Sequence, residues 1–380
     1  MTEAEPACPG KRETGPKTIV LLFDGTANSL AENPSHILRL YGCLQKSDRQ
    51  LVWYAPGVGT LGGQGLWSRA AQRFLEVWGM ITGFGVDQNV KAAYRFLAET
   101  YDNGKREEGE DRPRDRIVIM GFSRGAYSAR MLAGFLHTIG LIPPRTLNLL
   151  DHAWRAYKRI GERADEGADA AQRFAEVGLY EKYLNPDRPP IHLLGLFDTV
   201  SSVIEPGPWG KPVIRRHHAS TLRNPSVAHV RHAVAVHERR RLYRAVLWPQ
   251  DQDFRRRRFR EESAVPQDLR EVWFAGSHRD VGGGLPPAES ALGRIALRWM
   301  IEETAALGLV YSPASLRTHL EALPPGPGMP DDARAPVHPS MTFWWRLVEF
   351  IPPPTFGRGR TIPEGAELHP SVRERPDQPV

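Results

Sequence analysis

Ile117-Val118-Ile119-Met120-Gly121-Phe122-Ser123-Arg124-Gly125-Ala126 decides the reading of this chain. Four apolar, β-favouring residues run into Gly-x-Ser-x-Gly, and Ala126 to Leu136 follows as a helix. Strand, glycine-flanked serine and helix together are the local build of a nucleophile elbow. A sharp, strained turn presents the serine hydroxyl, and the small flanking residues let neighbouring backbone come close. The pattern alone arises roughly 0.1 times by chance in a chain of this length. The strand before it and the helix after it carry the reading.

Other short apolar runs read as buried parallel strands, each ending in turn residues. They are Thr18–Phe23, Leu51–Tyr54, Ile191–Phe197 and Glu271–Phe274, with helical patterns at Asp87–Tyr101 and across Arg145–Tyr180 between them. Strands alternating with helices predict an α/β fold of the α/β-hydrolase kind, a mostly parallel sheet covered by helices on both faces with helical and irregular insertions. In such a sheet the chemistry collects beyond the carboxyl ends of the strands. Polar or glycine-rich residues stand at all five ends: Asp24-Gly25-Thr26, Ala55-Pro56-Gly57, the elbow, Asp198-Thr199, and Gly276-Ser277-His278-Arg279-Asp280.

The expected organisation is a disordered tail over 1–16, a hydrolase domain over 17–323, and a proline-rich extension over 324–380 that packs on it. Within the domain, about 143–190 and 202–267 read as insertions outside the sheet. The tail is polar and has no apolar core of a secretory signal, and no apolar run is long enough to span a bilayer. Cys8 and Cys43 form neither a disulfide framework nor a metal-ligand spacing. A cytoplasmic location is the expectation, and signal-independent export fits the same sequence.

Charge is unevenly spread. Residues 211–260 hold fourteen Lys/Arg against three Asp/Glu, so this window carries a surplus of eleven while the whole chain carries only +6. Its densest part runs from Arg255 to Arg260 and fits either a solvated loop or an anionic membrane surface. No zinc-finger, RRM or helix-turn-helix signature accompanies it, so nucleic acid is not the expected partner. An aromatic island, Phe343 to Ile351, fits either core or a lipid-facing rim.

A serine nucleophile needs a base and an acid that orients the base. Ser123, Asp198 and His278 stand in the order nucleophile, acid, histidine and each lies at or near a strand end. Asp280 competes for the acid role, although shaping the Gly282-Gly283-Gly284 loop suits it better; Asp24 is a further supporting acid. The oxyanion donors would be backbone N–H groups of Arg124 and of Gly25 or Thr26. A phosphatase reading of Asp24-Gly25-Thr26 fails, because Leu22 stands where that chemistry needs its aspartate nucleophile.

These blocks, Leu22–Asn28, Tyr54–Thr60, Gly121–Arg130, Gly195–Val200 and Val272–Gly284, resemble a bacterial and fungal family of α/β-hydrolase domains that includes type VI secretion phospholipase effectors. Departures at Ala27, Ser128 and Leu285 leave the three candidate residues untouched. The resemblance implies a serine esterase acting on lipid or phospholipid acyl esters, with no metal and no organic cofactor. A soluble esterase or thioesterase for small substrates, and a non-catalytic binding module of the same fold, stay open as alternatives.

Overall fold

The computed structural model describes residues 15–25, 33–57, 85–106, 110–165, 170–200, 203–206, 212–215, 221–240, 243–255, 264–321, 333–341, 345–346 and 359–375. Its centre is one parallel sheet. The strands are β1 (Thr18–Phe23), β2 (Gln50–Ala55), β3 (Arg116–Phe122), β4 (Ile191–Phe197), β7 (Val227–Ala235), β10 (Asp268–Phe274) and β11 (Glu367–Leu368). They lie in the order β11-β10-β7-β4-β3-β1-β2, and every pair is parallel.

The strands are nearly continuous apolar runs because both of their faces are buried. Along β1 and β3, Ile19, Leu21, Ile117 and Ile119 enter one core, while Val20, Leu22, Val118 and Met120 enter the other. On the first face lie α2 (Val86–Thr100) and α3 (Arg124–Thr138); on the second lie α1 (His36–Cys43) and α7 (Ala291–Ala306). The helical stretch between β3 and β4 forms α4 (Leu150–Asp165) and α5 (Ala170–Leu184). Trp154 and Tyr157 of α4 close on Phe135 of α3, with ring centroids 5.1 and 5.4 Å away. α3 is buried on nearly every residue, and its polar Arg130 donates to the Val246 carbonyl and lies over the Trp248 ring.

One expectation is corrected here. Residues 202–267 are not wholly outside the sheet, because β7 lies at their centre, between β4 and β10. What does lie outside is two small antiparallel hairpins, β5 (Val203–Pro206) with β6 (Pro212–Arg215) and β8 (Asp253–Arg255) with β9 (Ala264–Pro266). The cause of the misreading is the polar content of β7. His229, Arg231 and His232 resemble surface charge, yet each finds an acidic partner on β10 or α7. Arg231 meets Asp268 and Glu303, His229 meets Asp268, and His232 meets Glu271. At the far end of the chain, β11 adds an edge to β10, with Val272 opposite Glu367 and Trp273 opposite Leu368.

Candidate active site

The chain leaves β3 through Ser123, whose φ of 59° and ψ of −122° lie outside the regions that side-chain-bearing residues favour. Two packing constraints hold this strained turn. A Cβ on Gly121 would overlap the Gly125 carbonyl, and one on Gly125 would overlap the carbonyl oxygens of Phe23 and Asp24. The Ser123 N–H also donates to the Phe197 carbonyl at the end of β4, at 3.0 Å. The elbow is thus wedged between the ends of β1 and β4, and the serine begins α3.

Asp198 and His278 come from the ends of β4 and β10. His278 opens a five-residue helix, α6 (His278–Gly282), capped by a reciprocal box in which Ser277 and Asp280 satisfy one another. The three side chains form one hydrogen-bonded line: His278 Nε2 is 2.8 Å from Ser123 Oγ, and His278 Nδ1 is 2.5 Å from Asp198 Oδ2. The imidazole is held between two rings, Phe122 and Tyr243, each 4.8 Å away by centroid. All three residues are buried.

Burial lowers the His278 pKa from its ordinary value, only partly offset by the Asp198 carboxylate beside it. The imidazole is therefore neutral at neutral pH, as a base must be. Burial alone would push Asp198 up. The Arg360 charge and the hydrogen bonds from His278 and Arg360 outweigh it and hold the carboxyl well below the usual carboxylate range. Asp198 also sits at a φ of 41°, fixed by its own N–H to the Ala233 carbonyl and by the Ala235 N–H to Oδ1. Behind it, His232 Nε2 accepts from the Thr199 N–H while Nδ1 bonds Glu271, which sets that histidine's tautomer.

Asp280, the competing acid, lies elsewhere. Its carboxylate accepts from the Ser277 N–H and hydroxyl and meets His338, at 2.7, 2.9 and 2.6 Å. Asp24 is also engaged structurally, accepting from Ser35 Oγ and Tyr54 Oη at 2.7 Å each. Its other oxygen takes the Gly25 N–H at 2.6 Å. The Gly25 donor is therefore committed to Asp24, which corrects its assignment as a ready oxyanion donor: a carboxylate so close is a strong competing acceptor. Thr26 lies outside the described residues, as do Arg256 to Arg260 and Trp344. Trp345 is half-buried and lies edge-on to Tyr243 at 5.4 Å, with the Arg240 guanidinium over both rings.

Three residues around His278 were invisible in the sequence reading. Glu238, fully buried, accepts from the His278 N–H at 3.3 Å and grips Arg240. It stands three residues after the end of β7, so recognising that strand would have drawn attention to it. Tyr243 walls the imidazole, and Arg360 pairs with Asp198. Among the described residues no group of His, Cys, Asp or Glu is arranged to hold a metal ion, and no helix is long and apolar enough to cross a membrane.

A parallel α/β sheet with a serine elbow, and with an aspartate and a histidine converging on it from later strand ends, defines the α/β-hydrolase class. Residues 17–303 match the family model described as "T6SS, Phospholipase effector Tle1-like, catalytic domain", and the chain belongs to that family. A relative in Saccharomyces cerevisiae, an uncharacterized protein, is 31% identical over 244 residues, 61% of this chain and 33% of its own length. A solved structure of an uncharacterized Pseudomonas aeruginosa protein is 20% identical with a TM-score of 0.41, covering 79% of this chain and 47% of that one. The Tle1 effector bound to the VgrG spike of the type 6 secretion system is 18% identical with a TM-score of 0.35, covering 76% of this chain and 55% of that one. The chain thus spans about a third of the yeast relative and about half of the two solved chains.

Proposed function

We propose that this chain is a serine hydrolase that cleaves the acyl esters of phospholipids. The observation that carries this is the continuous line from Ser123 Oγ through both ring nitrogens of His278 to Asp198, set on a strained elbow. In this reading Ser123 Oγ attacks the ester carbonyl as its proton passes to His278 Nε2. Asp198 keeps the Nδ1–H tautomer in place and stabilises the imidazolium that forms. His278 then gives the proton to the leaving alcohol, an acyl group remains on Ser123, and water activated by the same imidazole releases the fatty acid. The Arg124 N–H, at the start of α3, is the first oxyanion donor, and the helix dipole favours negative charge there. The second donor is assigned to the N–H of Thr26, which follows β1 in the sequence.

Phospholipid, rather than a small ester, is supported by the family membership and by the basic window that includes Arg255. Product analysis on phosphatidylethanolamine and phosphatidylglycerol vesicles tests the substrate class. Free fatty acid and lysophospholipid are the expected products. Release of the phosphorylated headgroup, or turnover of short soluble esters alone, contradicts the reading.

A further inference from the structure

Arg360 lies outside the family-matched 17–303, in the C-terminal segment, yet its side chain is buried against Asp198. Nη1 reaches Asp198 Oδ1 at 2.5 Å and Nη2 reaches Oδ2 at 3.0 Å, a two-point grip on the carboxylate. The rest of the guanidinium is tied to the scaffold. Nη1 also donates to the Ala235 carbonyl at 2.8 Å, Nε donates to the Tyr243 carbonyl at 3.1 Å, and Nη2 donates to the same carbonyl. A carboxylate offers about four lone-pair sites. The Ala235 N–H and Arg360 Nη1 take Oδ1, and His278 Nδ1 and Arg360 Nη2 take Oδ2. The acid is saturated and has no freedom to rotate.

We propose that Arg360 is a positioning residue for the hydrolytic site, so that the C-terminal segment beyond the family-matched domain completes the Ser123–His278–Asp198 line. The proposal rests on the nucleophile reading given above. Arg360 fixes the Asp198 carboxylate, and through it the imidazole, in the one orientation that leaves Nε2 facing Ser123. Its fixed positive charge also sits one residue away from the imidazolium that forms during turnover and opposes it. The charged groups facing His278 are Asp198, Glu238 and Arg240, with Arg360 and His232 on the far side of Asp198 and Arg279 next along α6. Arg360→Met would therefore do two separable things: free the carboxylate to rotate, and remove a charge that disfavours protonated His278.

The test is steady-state hydrolysis of a short soluble ester across pH by the full chain and by Arg360→Lys, Arg360→Met and Ser123→Ala. A misplacement of about 1 Å costs on the order of 100-fold in rate. Arg360→Met is expected to lose about that factor in kcat with little change in KM, and its acid limb moves to higher pH. Arg360→Lys keeps the charge but loses the fork. It is expected to lose roughly tenfold in kcat, with the acid limb unmoved. Folded Arg360→Met with wild-type kcat, or with reduced kcat and an unmoved limb, overturns the positioning role. Where the Met variant fails to fold, the Lys variant decides: wild-type kcat overturns the proposal and a reduced kcat with the native limb supports it. Inactive Ser123→Ala beside wild-type Arg360 variants rejects only Arg360. Full activity of Ser123→Ala removes both readings.

Discussion

Asp280 and His338 stand 58 residues apart in sequence and meet at 2.6 Å, so the carboxylate two residues after His278 serves an anchor for a distant segment instead of the imidazole beside it. With Ser277 also bonded to Asp280, this side chain organises α6 and ties residues 333–341 to it. The first prediction follows. Asp198→Asn should lower kcat by about 10⁴, the cost of trapping the wrong imidazole tautomer in serine proteases. Asp280→Asn should keep kcat within roughly tenfold and lose about 1–3 kcal/mol of stability from its disrupted buried hydrogen bonds. Kinetics paired with urea unfolding distinguishes them; the reverse ranking in folded variants reassigns the acid.

The same contact predicts a pH dependence of stability. The hydrogen bond that His338 donates to Asp280, together with the Asp280 charge, raises the His338 pKa above its ordinary value, against a smaller effect of burial. A raised histidine pKa stabilises the fold fully below the unfolded value of about 6.5, and that contribution fades as pH rises through the folded value. The gap in urea midpoint between wild type and His338→Gln should therefore be widest below about pH 6.5 and narrow toward pH 8.5. A gap that stays constant or widens over that range contradicts the assignment.

Much of this was legible in the sequence, for identifiable reasons. Ile117–Met120 and Thr18–Phe23 announce themselves because both faces of a parallel strand are buried, so they lack polar interruptions. Candidates Ser123 and Asp198 immediately follow such runs, and His278 comes four residues after one. The strand Val227–Ala235 is hidden because its charges find partners only after folding, on Asp268, Glu271 and Glu303. The two-residue strand Glu367–Leu368 has no periodicity to read. Arg360 is an arginine in a proline-rich stretch; its meaning lies wholly in the residue that it meets, 162 positions earlier.

The elbow's glycines give a stability prediction with its own control. A Cβ on Gly125 meets fixed backbone at Phe23 and Asp24, whereas one on Gly178, in the helix Ala170–Leu184, meets nothing within 4 Å. Gly125→Ala should destabilise by about 1–3 kcal/mol or more and reduce activity by tilting Ser123. Gly178→Ala should stabilise by about 0.5–1 kcal/mol through helix propensity. Thermal unfolding of the two variants, shifting in opposite directions, checks the packing; a neutral Gly125→Ala contradicts it.

In the proposed mechanism neutral His278 is the base, so activity should be lost as pH falls through its pKa. Burial lowers that pKa. The acid limb of kcat/KM should accordingly fall below the free-imidazole value of about 6.5. A limb above 7 contradicts the electrostatic account of the site.

The central claim is that Ser123 is the nucleophile, poised by His278 at 2.8 Å. Intact-protein mass spectrometry after treatment with a fluorophosphonate tests it most directly. The account predicts a single phosphonyl adduct on wild-type protein, mapped to the peptide that carries Ser123, and no adduct on folded Ser123→Ala. An adduct of undiminished yield on Ser123→Ala would contradict it.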